Sequence, residues 1–97
     1  MQAVKKVEII ISSLEIEEIL EILAVANVSG YTVMKNTSGK GDRGVANDDL
    51  GTVLSNSYIM TVCTNEKQLN QVIEDITPIL KRVGGVCLVT DANWVLH

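Results

Sequence analysis

The sequence predicts an α+β fold, in which one antiparallel sheet carries two helices on one face. Four segments are β-branched or alternate between apolar and polar residues, as strands do. Two further segments repeat apolar residues at three- and four-residue spacing, as amphipathic helices do. The six segments follow the order β-α-β-β-α-β, which is the split βαβ, ferredoxin-like arrangement. The length of 97 residues suits a single domain over residues 1–97.

The first quarter of the chain predicts a central strand followed by a helix. Val4–Ile11 is rich in β-branched residues, and its second half is almost entirely apolar. Ser12 and Glu15 match a capping box, so a helix is expected over Leu14–Ala26. Its glutamates crowd the N-terminal turns, where the helix dipole favours negative charge.

The middle of the chain predicts two strands joined by a long loop. Tyr31–Asn36 and Ser57–Cys63 have the residue types of pleated, half-buried strands. We expect them to pair antiparallel as one very long hairpin. Residues 37–56 between them have no apolar period, and a compact domain rarely carries so long a loop unless the loop has a function or is disordered.

The last third predicts a helix and a closing strand. Asn65 with Gln68 is a plausible capping pair for a helix that ends at residue 83, and Pro78 is expected to kink that helix or to split off its last turn. A glycine pair then precedes a strand over Val86–Val89, and residues 90–97 are expected to form a short tail. The predicted apolar stripe of the helix is Leu69, Val72, Ile73, Ile76, Leu80 and Val83.

Composition and charge exclude several classes of protein. With no Phe and only 3% aromatic residues, the core must be thin and aliphatic, so burial in an oligomer is attractive. The net charge of −4 disfavours a nucleic-acid surface. Cys63 and Cys87 fall in predicted strands, as small buried residues of a reducing compartment do. No apolar run reaches 18 residues, so we expect a cytoplasmic protein without membrane insertion.

The residues offer no catalytic or metal-binding constellation. The only histidine is His97, and there is neither a Ser/His/Asp set nor a Cys/His ligand spacing. We therefore expect no catalytic residues, no metal site and no tightly bound cofactor.

The long loop begins with a candidate anion site. Lys40 and Arg43 stand among Gly39, Gly41 and Gly44. Glycine frees backbone N–H groups for an anion, and two adjacent cations favour phosphate in particular. A flexible, solvated loop is the alternative interpretation of the same residues.

The same region carries a resemblance to a known family. Gly30-Tyr31-Thr32-Val33-Met34, followed by Thr37-Ser38-Gly39-Lys40-Gly41-Asp42-Arg43, resembles the PII-like signalling proteins of nitrogen and carbon regulation. The likeness is closer to the SbtB branch, which accompanies a cyanobacterial bicarbonate transporter. It spans nearly the whole chain, since the strands and helices fall in the family's order.

The resemblance implies a homotrimer that binds adenine nucleotides in the clefts between subunits. The long loop (the T-loop of the family) would change its order with the ligand and dock on a membrane transporter or another protein. Residues 44–55 would form the mobile effector part. The implied nucleotide-binding residues are Thr32 and Val33 beside the base or ribose, Gly39, Lys40, Gly41 and Arg43 at the loop base, and Gly84, Gly85 and Val86 in the family's B-loop.

Two departures from the family pattern affect the ligand. Val86 stands about where typical members have a lysine, and the tail Asp91–His97 contains no arginine. Fewer cations for phosphate favour AMP, cAMP or ADP over ATP.

Three alternatives stay open at this point. The chain could be an ACT-like domain that binds an amino acid, a structural oligomeric module, or a weak nucleotide hydrolase that uses the same cleft. The role of Trp94 is left open as well, because a lone tryptophan can anchor packing or a subunit interface, or can stack on a base.

Overall fold

The computed structural model describes residues 1–37 and 55–97. Its strands are β1 Gln2–Ser12, β2 Tyr31–Thr37, β3 Asn56–Cys63 and β4 Val86–Trp94, and its α-helices are α1 Ile16–Val25 and α2 Glu66–Val83. The strands form one sheet in the spatial order β2-β3-β1-β4, with each neighbouring pair antiparallel. The predicted ferredoxin-like arrangement is therefore confirmed.

The core lies between the two helices and one face of the sheet. Side chains alternate along a strand, so Val7, Ile9 and Ile11 of β1 point into the core while the residues between them point away. The fully buried members of the core are almost all aliphatic, as the absence of Phe required. Both cysteines are free thiols inside strands, Cys63 buried and Cys87 partly buried, as predicted.

The start of the first helix differs in detail from the predicted capping box. Ser12 accepts a hydrogen bond from the Leu14 amide over 3.3 Å, and a single 3₁₀ turn over Ser13–Glu15 comes before α1. The Ser13 amide bonds instead to the Ser55 carbonyl, which lies beside β3. The chain is thus held to the sheet at this point, and the α-helix begins later than expected.

The cap of the second helix is confirmed, and the same residues connect the two helices. Asn65 Oδ1 accepts from the Gln68 amide over 2.8 Å. The Gln68 side chain accepts from the Thr64 amide, and its Nε2 donates to the Ala26 and Asn27 carbonyls at the end of α1. One side chain therefore satisfies polar groups at the ends of both helices.

Two parts of the prediction for α2 were wrong, namely the split of its last turn at Pro78 and the composition of its apolar stripe. Pro78 does not split the helix, which runs unbroken through Val83. Ile76 and Ile79 flank the proline and are both buried, so packing against the core outweighs the one lost backbone hydrogen bond. Ile79 was missing from the predicted stripe, whereas Ile73 was included and is 38% exposed.

The last strand is longer than predicted. β4 does not end at Val89 but continues through Trp94, and residues from Val86 to Trp94 pair with β1. The polar residues of this stretch have low strand propensity, but a full antiparallel partner decides the conformation. Only the last three residues lie beyond the strand.

The sheet face opposite the helices, called the open face below, is apolar and uncovered in the single chain. Ile10, Met34, Val86 and Leu88 on this face are 38%, 53%, 44% and 52% exposed. Tyr58, Met60 and Val62 share the face, as predicted, while Ile59 and its odd-numbered neighbours point into the core. Across residues 1–37 and 55–97, neither helix is both long and apolar enough to cross a membrane.

Candidate functional site

A network of polar side chains fixes both ends of the segment 38–54. Asn36 adopts a positive φ of 59°, and its Oδ1 accepts from the Ser55 hydroxyl over 2.7 Å. Thr37 donates its hydroxyl to the Asn56 carbonyl over 3.1 Å. The Ser13 hydroxyl lies 3.1 Å from the Ser55 hydroxyl, so the first turn after β1 joins the same network. Residues 37 and 55 are therefore held at one end of the sheet.

Four of the predicted site residues lie outside the described residues. They are Gly39, Lys40, Gly41 and Arg43. Their proposed contact with phosphate stays a prediction.

The glycine pair after α2 forms a tight turn against β1. Gly84 caps the helix with a φ of 80°, and its amide donates to the Leu80 carbonyl over 2.8 Å. Gly85 has a φ of 116°, and a Cβ placed there would lie 2.8 Å from the Ile10 carbonyl oxygen. Val86 then pairs with Ile10 as β4 begins. The turn thus serves as a helix cap, and glycine is required at its second position for space as well as conformation.

Thr32 and Val33 point to opposite sides of β2. Val33 is partly buried against the core, whereas Thr32 is exposed on the open face beside Met60. A side-chain contact from this strand to a ligand outside the core would therefore come from Thr32, with Val33 offering its backbone.

The described site residues do not meet within one chain. Thr32 lies on β2 and Val86 on β4, which are the two edges of the sheet. Three strand spacings of roughly 4.8 Å each separate these edges, or about 14 Å in all. The two groups of predicted site residues therefore lie on opposite edges of the sheet in one chain.

Thr32 belongs to a cavity that the sequence prediction did not include. Met60 and Val62 of β3 line it together with Thr32, and Trp94 closes it from the end of β4. Trp94 could enter the cavity only because β4 continues past Val89. A low-propensity polar stretch before a lone tryptophan gave no signal of this in the sequence.

A second cavity, of about 330 Å³, lies at the end of the sheet beside the N-terminus of α2. Lys5 and Asp91 line it and form an ion pair across β1 and β4, and the pKa of Lys5 is raised above its usual value by this hydrogen bond. Cys63 lines it as well, with the pKa of its thiol raised by burial. None of the predicted site residues that the structure describes borders this cavity.

The open face carries the charged pair Glu8 and Lys6 among its apolar side chains. The Tyr58 hydroxyl donates to Glu8 over 2.6 Å, and the Lys6 ammonium lies 3.6 Å from the same carboxylate. The Tyr58 hydrogen bond is the main reason that the pKa of Glu8 is lowered, and the same bond raises the pKa of Tyr58. Glu8 is therefore held as a carboxylate by its neighbours.

Residues 1–37 and 55–97 contain no group of three or more His, Cys, Asp or Glu residues placed to hold a metal ion. They form an α+β ferredoxin-like domain with an apolar open face, and the predicted site residues among them lie on both edges of the sheet.

The chain belongs to the P-II family of nitrogen regulatory proteins. It matches the family described as Nitrogen regulatory protein P-II across residues 4–95. It is also 31% identical, over 78 residues, to the UPF0166 protein MJ1524 of Methanocaldococcus jannaschii, covering 79% of this chain and 71% of that protein.

Solved structures show the same relationship. The CPII protein of Thiomonas intermedia K12, a nitrogen regulatory PII-like protein bound to ADP and bicarbonate, is 30% identical, with a TM-score of 0.78. The match covers 93% of this chain and 86% of CPII. CPII bound to ADP, AMP and bicarbonate gives a TM-score of 0.77 at 28% identity, with the same coverage of both chains.

A more distant structure supports the fold alone. The Bacillus subtilis GlnK–ATP complex is 21% identical, with a TM-score of 0.64, and the match covers 95% of this chain and 84% of GlnK. The predicted PII resemblance is confirmed at the level of the family.

Proposed function

We propose that this chain is a regulatory protein that senses adenine nucleotides in the clefts between the subunits of a homotrimer. The observation that carries the proposal is the separation of the predicted site residues into two groups. Thr32 and the turn from Gly84 to Val86 lie on opposite edges of the sheet. Two copies set edge to edge would join them into one site.

The open face supports the same assembly. Its apolar side chains are exposed to solvent in the single chain, and two of them, Met34 and Leu88, are each more than half exposed. Contiguous apolar surface of this kind is typical of an interface. A third copy would close the ring, so that the interface surface of each copy meets that of the next.

The ligand is proposed as AMP, cAMP or ADP rather than ATP. The CPII protein binds ADP and AMP, and Val86 replaces the lysine of typical members. The phosphates would contact Gly39, Lys40, Gly41 and Arg43, with Gly84 and Gly85 offering backbone groups. We propose that the protein has no catalytic role and needs no tightly bound cofactor.

The partner is proposed to be a membrane transporter, either for bicarbonate or for another substrate, and a bicarbonate transporter would place the chain in the SbtB branch. The bicarbonate in the CPII structures agrees with a role in carbon metabolism. Residues 44–55 would contact the transporter and change their order with the nucleotide. The protein would be cytoplasmic and would reach the membrane through this contact.

The test combines a thermal-shift series with light scattering. A folded protein gains stability from any ligand that binds it, so AMP, cAMP and ADP should raise the melting temperature of a trimer. Bicarbonate and amino acids complete the series, because stabilisation by an amino acid alone would instead favour the ACT-like alternative. A monomer, or a trimer that no nucleotide stabilises, would refute the proposal.

Calorimetry on two arginine variants tests the phosphate contact. Arg43→Ala should weaken the binding of ADP by about 1.5–3 kcal/mol, which is the range for hydrogen bonds to charged groups. Arg82→Ala is the matched control, because Arg82 pairs with Glu15 and Glu18 at the helix ends. Equal affinity of both variants and the wild type would remove Arg43 from the site.

A further inference from the structure

The cavity beside Thr32 has the composition of a site for a flat, uncharged group. It has a volume of about 490 Å³, within the range of roughly 300–1,000 Å³ that small-molecule sites occupy. Met60 and Val62 provide apolar contact, and Trp94 provides an aromatic surface. The described side chains that line it are all uncharged, so its chemistry suits a heterocycle and not a phosphate.

Polar groups for such a ring lie at the edge of the same cavity. Thr32 offers an exposed hydroxyl, and Gly30 precedes the strand with its carbonyl already bonded to Thr61 over 2.7 Å. Within the described residues, β2 is an edge strand with backbone donors and acceptors along its outer side. A nitrogen heterocycle with alternating donors and acceptors can pair with such an edge.

Trp94 reaches this cavity from the far side of the sheet. β4 and β3 are separated by β1, with Trp94 paired to Gln2 and Val62 paired to Lys6. The indole must therefore lean across the first strand to line a cavity with Val62. It is only partly buried there.

We propose that Trp94 stacks on the base of the bound nucleotide and makes the site selective for an aromatic heterocycle. The proposal rests on the nucleotide binding proposed above and adds a specificity-determining residue to it. The base half of the site is then built within one chain, and the neighbouring copy supplies the turn at Gly84 and Gly85. Selectivity for the base thereby becomes independent of the number of phosphates.

The single tryptophan gives a direct readout. The chain contains one Trp, so its fluorescence reports on Trp94 alone. Saturating AMP should quench or shift this emission, and adenosine should do the same without a phosphate. Ribose 5-phosphate, which has no base, should leave the emission unchanged. Unchanged emission in a complex that calorimetry shows to be saturated with AMP would overturn the proposal.

Variants separate stacking from simple packing. Trp94→Ala should weaken the affinity for AMP about tenfold or more, as loss of base–aromatic stacking does. The affinity of Trp94→Phe should stay within about threefold of the wild-type affinity. Val95→Ala is the control, because Val95 is 66% exposed and lies next to Trp94 without lining the cavity. Circular dichroism and light scattering confirm that each variant is folded and has the wild-type mass.

The outcomes distinguish this proposal from the function on which it rests. If the wild type binds AMP and Trp94→Ala binds it equally well, stacking is refuted and the nucleotide sensor stands. If the wild type binds no adenine nucleotide, the proposed function fails and the stacking role fails with it. If Trp94→Ala no longer forms an oligomer of the wild-type mass, the fluorescence of the wild type is the remaining test. A Trp94 emission that does not change when AMP binds then means that Trp94 is an interface anchor.

Discussion

Replacing Gly85 with alanine tests whether the turn before β4 is set by backbone contact with β1. Gly85 has a φ of 116°, a region that residues with a Cβ rarely adopt. A Cβ at this position would lie 2.8 Å from the Ile10 carbonyl oxygen and 3.3 Å from side-chain atoms of Ile11 and Leu80. The close neighbour is backbone in the centre of the sheet, so it cannot rotate away.

The expected loss of stability follows from two costs. A residue held in a disfavoured backbone region costs about 1–3 kcal/mol, and overpacking a filled site costs about 1–3 kcal/mol. Gly85→Ala should therefore lower the free energy of unfolding by about 2–6 kcal/mol. The total for a domain is roughly 5–15 kcal/mol, so the variant should be severely destabilised.

Gly30→Ala is the matched control within the same chain. No atom lies within 4 Å of a Cβ built at Gly30. Urea denaturation of both variants and the wild type, at one protein concentration and without nucleotide, gives the comparison. Gly30→Ala should stay within about 1 kcal/mol of the wild type. If Gly85→Ala also stays within that range, the close approach to β1 does not determine the turn.

Three further predictions concern hydrogen bonds and thiols. Gln68→Leu should lower the free energy of unfolding by about 1–3 kcal/mol, because it removes the hydrogen bonds at both helix ends. Gln68→Glu should not recover this stability, because a carboxylate donates no hydrogen bond to a carbonyl. The pKa of Glu8 is lowered in the folded state. Its contribution to the free energy of unfolding is therefore complete above its ordinary pKa of 4.5, and this contribution disappears as the pH falls through the lowered pKa. The stability advantage of the wild type over Tyr58→Phe should therefore shrink on acidification, and an advantage that is constant with pH would exclude this linkage. Burial raises the pKa of Cys63 and Cys87, so iodoacetamide should label the native thiols slowly at neutral pH and the urea-unfolded thiols rapidly; equal rates would show that the folded chain does not protect them.

The sequence predicts the fold well where a local signal and the packing agree. The Asn65 cap and the β1 alternation are examples, since each depends on residues close together in the chain. The errors occur where tertiary contacts decide. Pro78 carries a strong helix-breaking signal, yet buried residues on both sides keep the helix whole. β4 continues to Trp94 because β1 offers a partner along its full length.

The candidate site was less predictable than the fold. The strand–glycine pattern led to Thr32 and the turn at Gly85, but residue spacing alone does not show that they lie on opposite sheet edges. The role of Trp94 in a cavity could not be predicted either, since it depends on an indole that leans across a strand. Both features depend on the order of the strands in the sheet.

The split site has a thermodynamic consequence for regulation. If Thr32 of one copy and Gly85 of the next both contact the nucleotide, the ligand binds the assembled form more tightly than the single chain. Linkage then requires the nucleotide to strengthen assembly by the same factor. In the proposed assembly, burial of the apolar side chains of the open face would add to this association. Under the proposed function, a partner would read this binding through the segment between Thr37 and Ser55, because hydrogen bonds hold both ends of that segment at one end of the sheet.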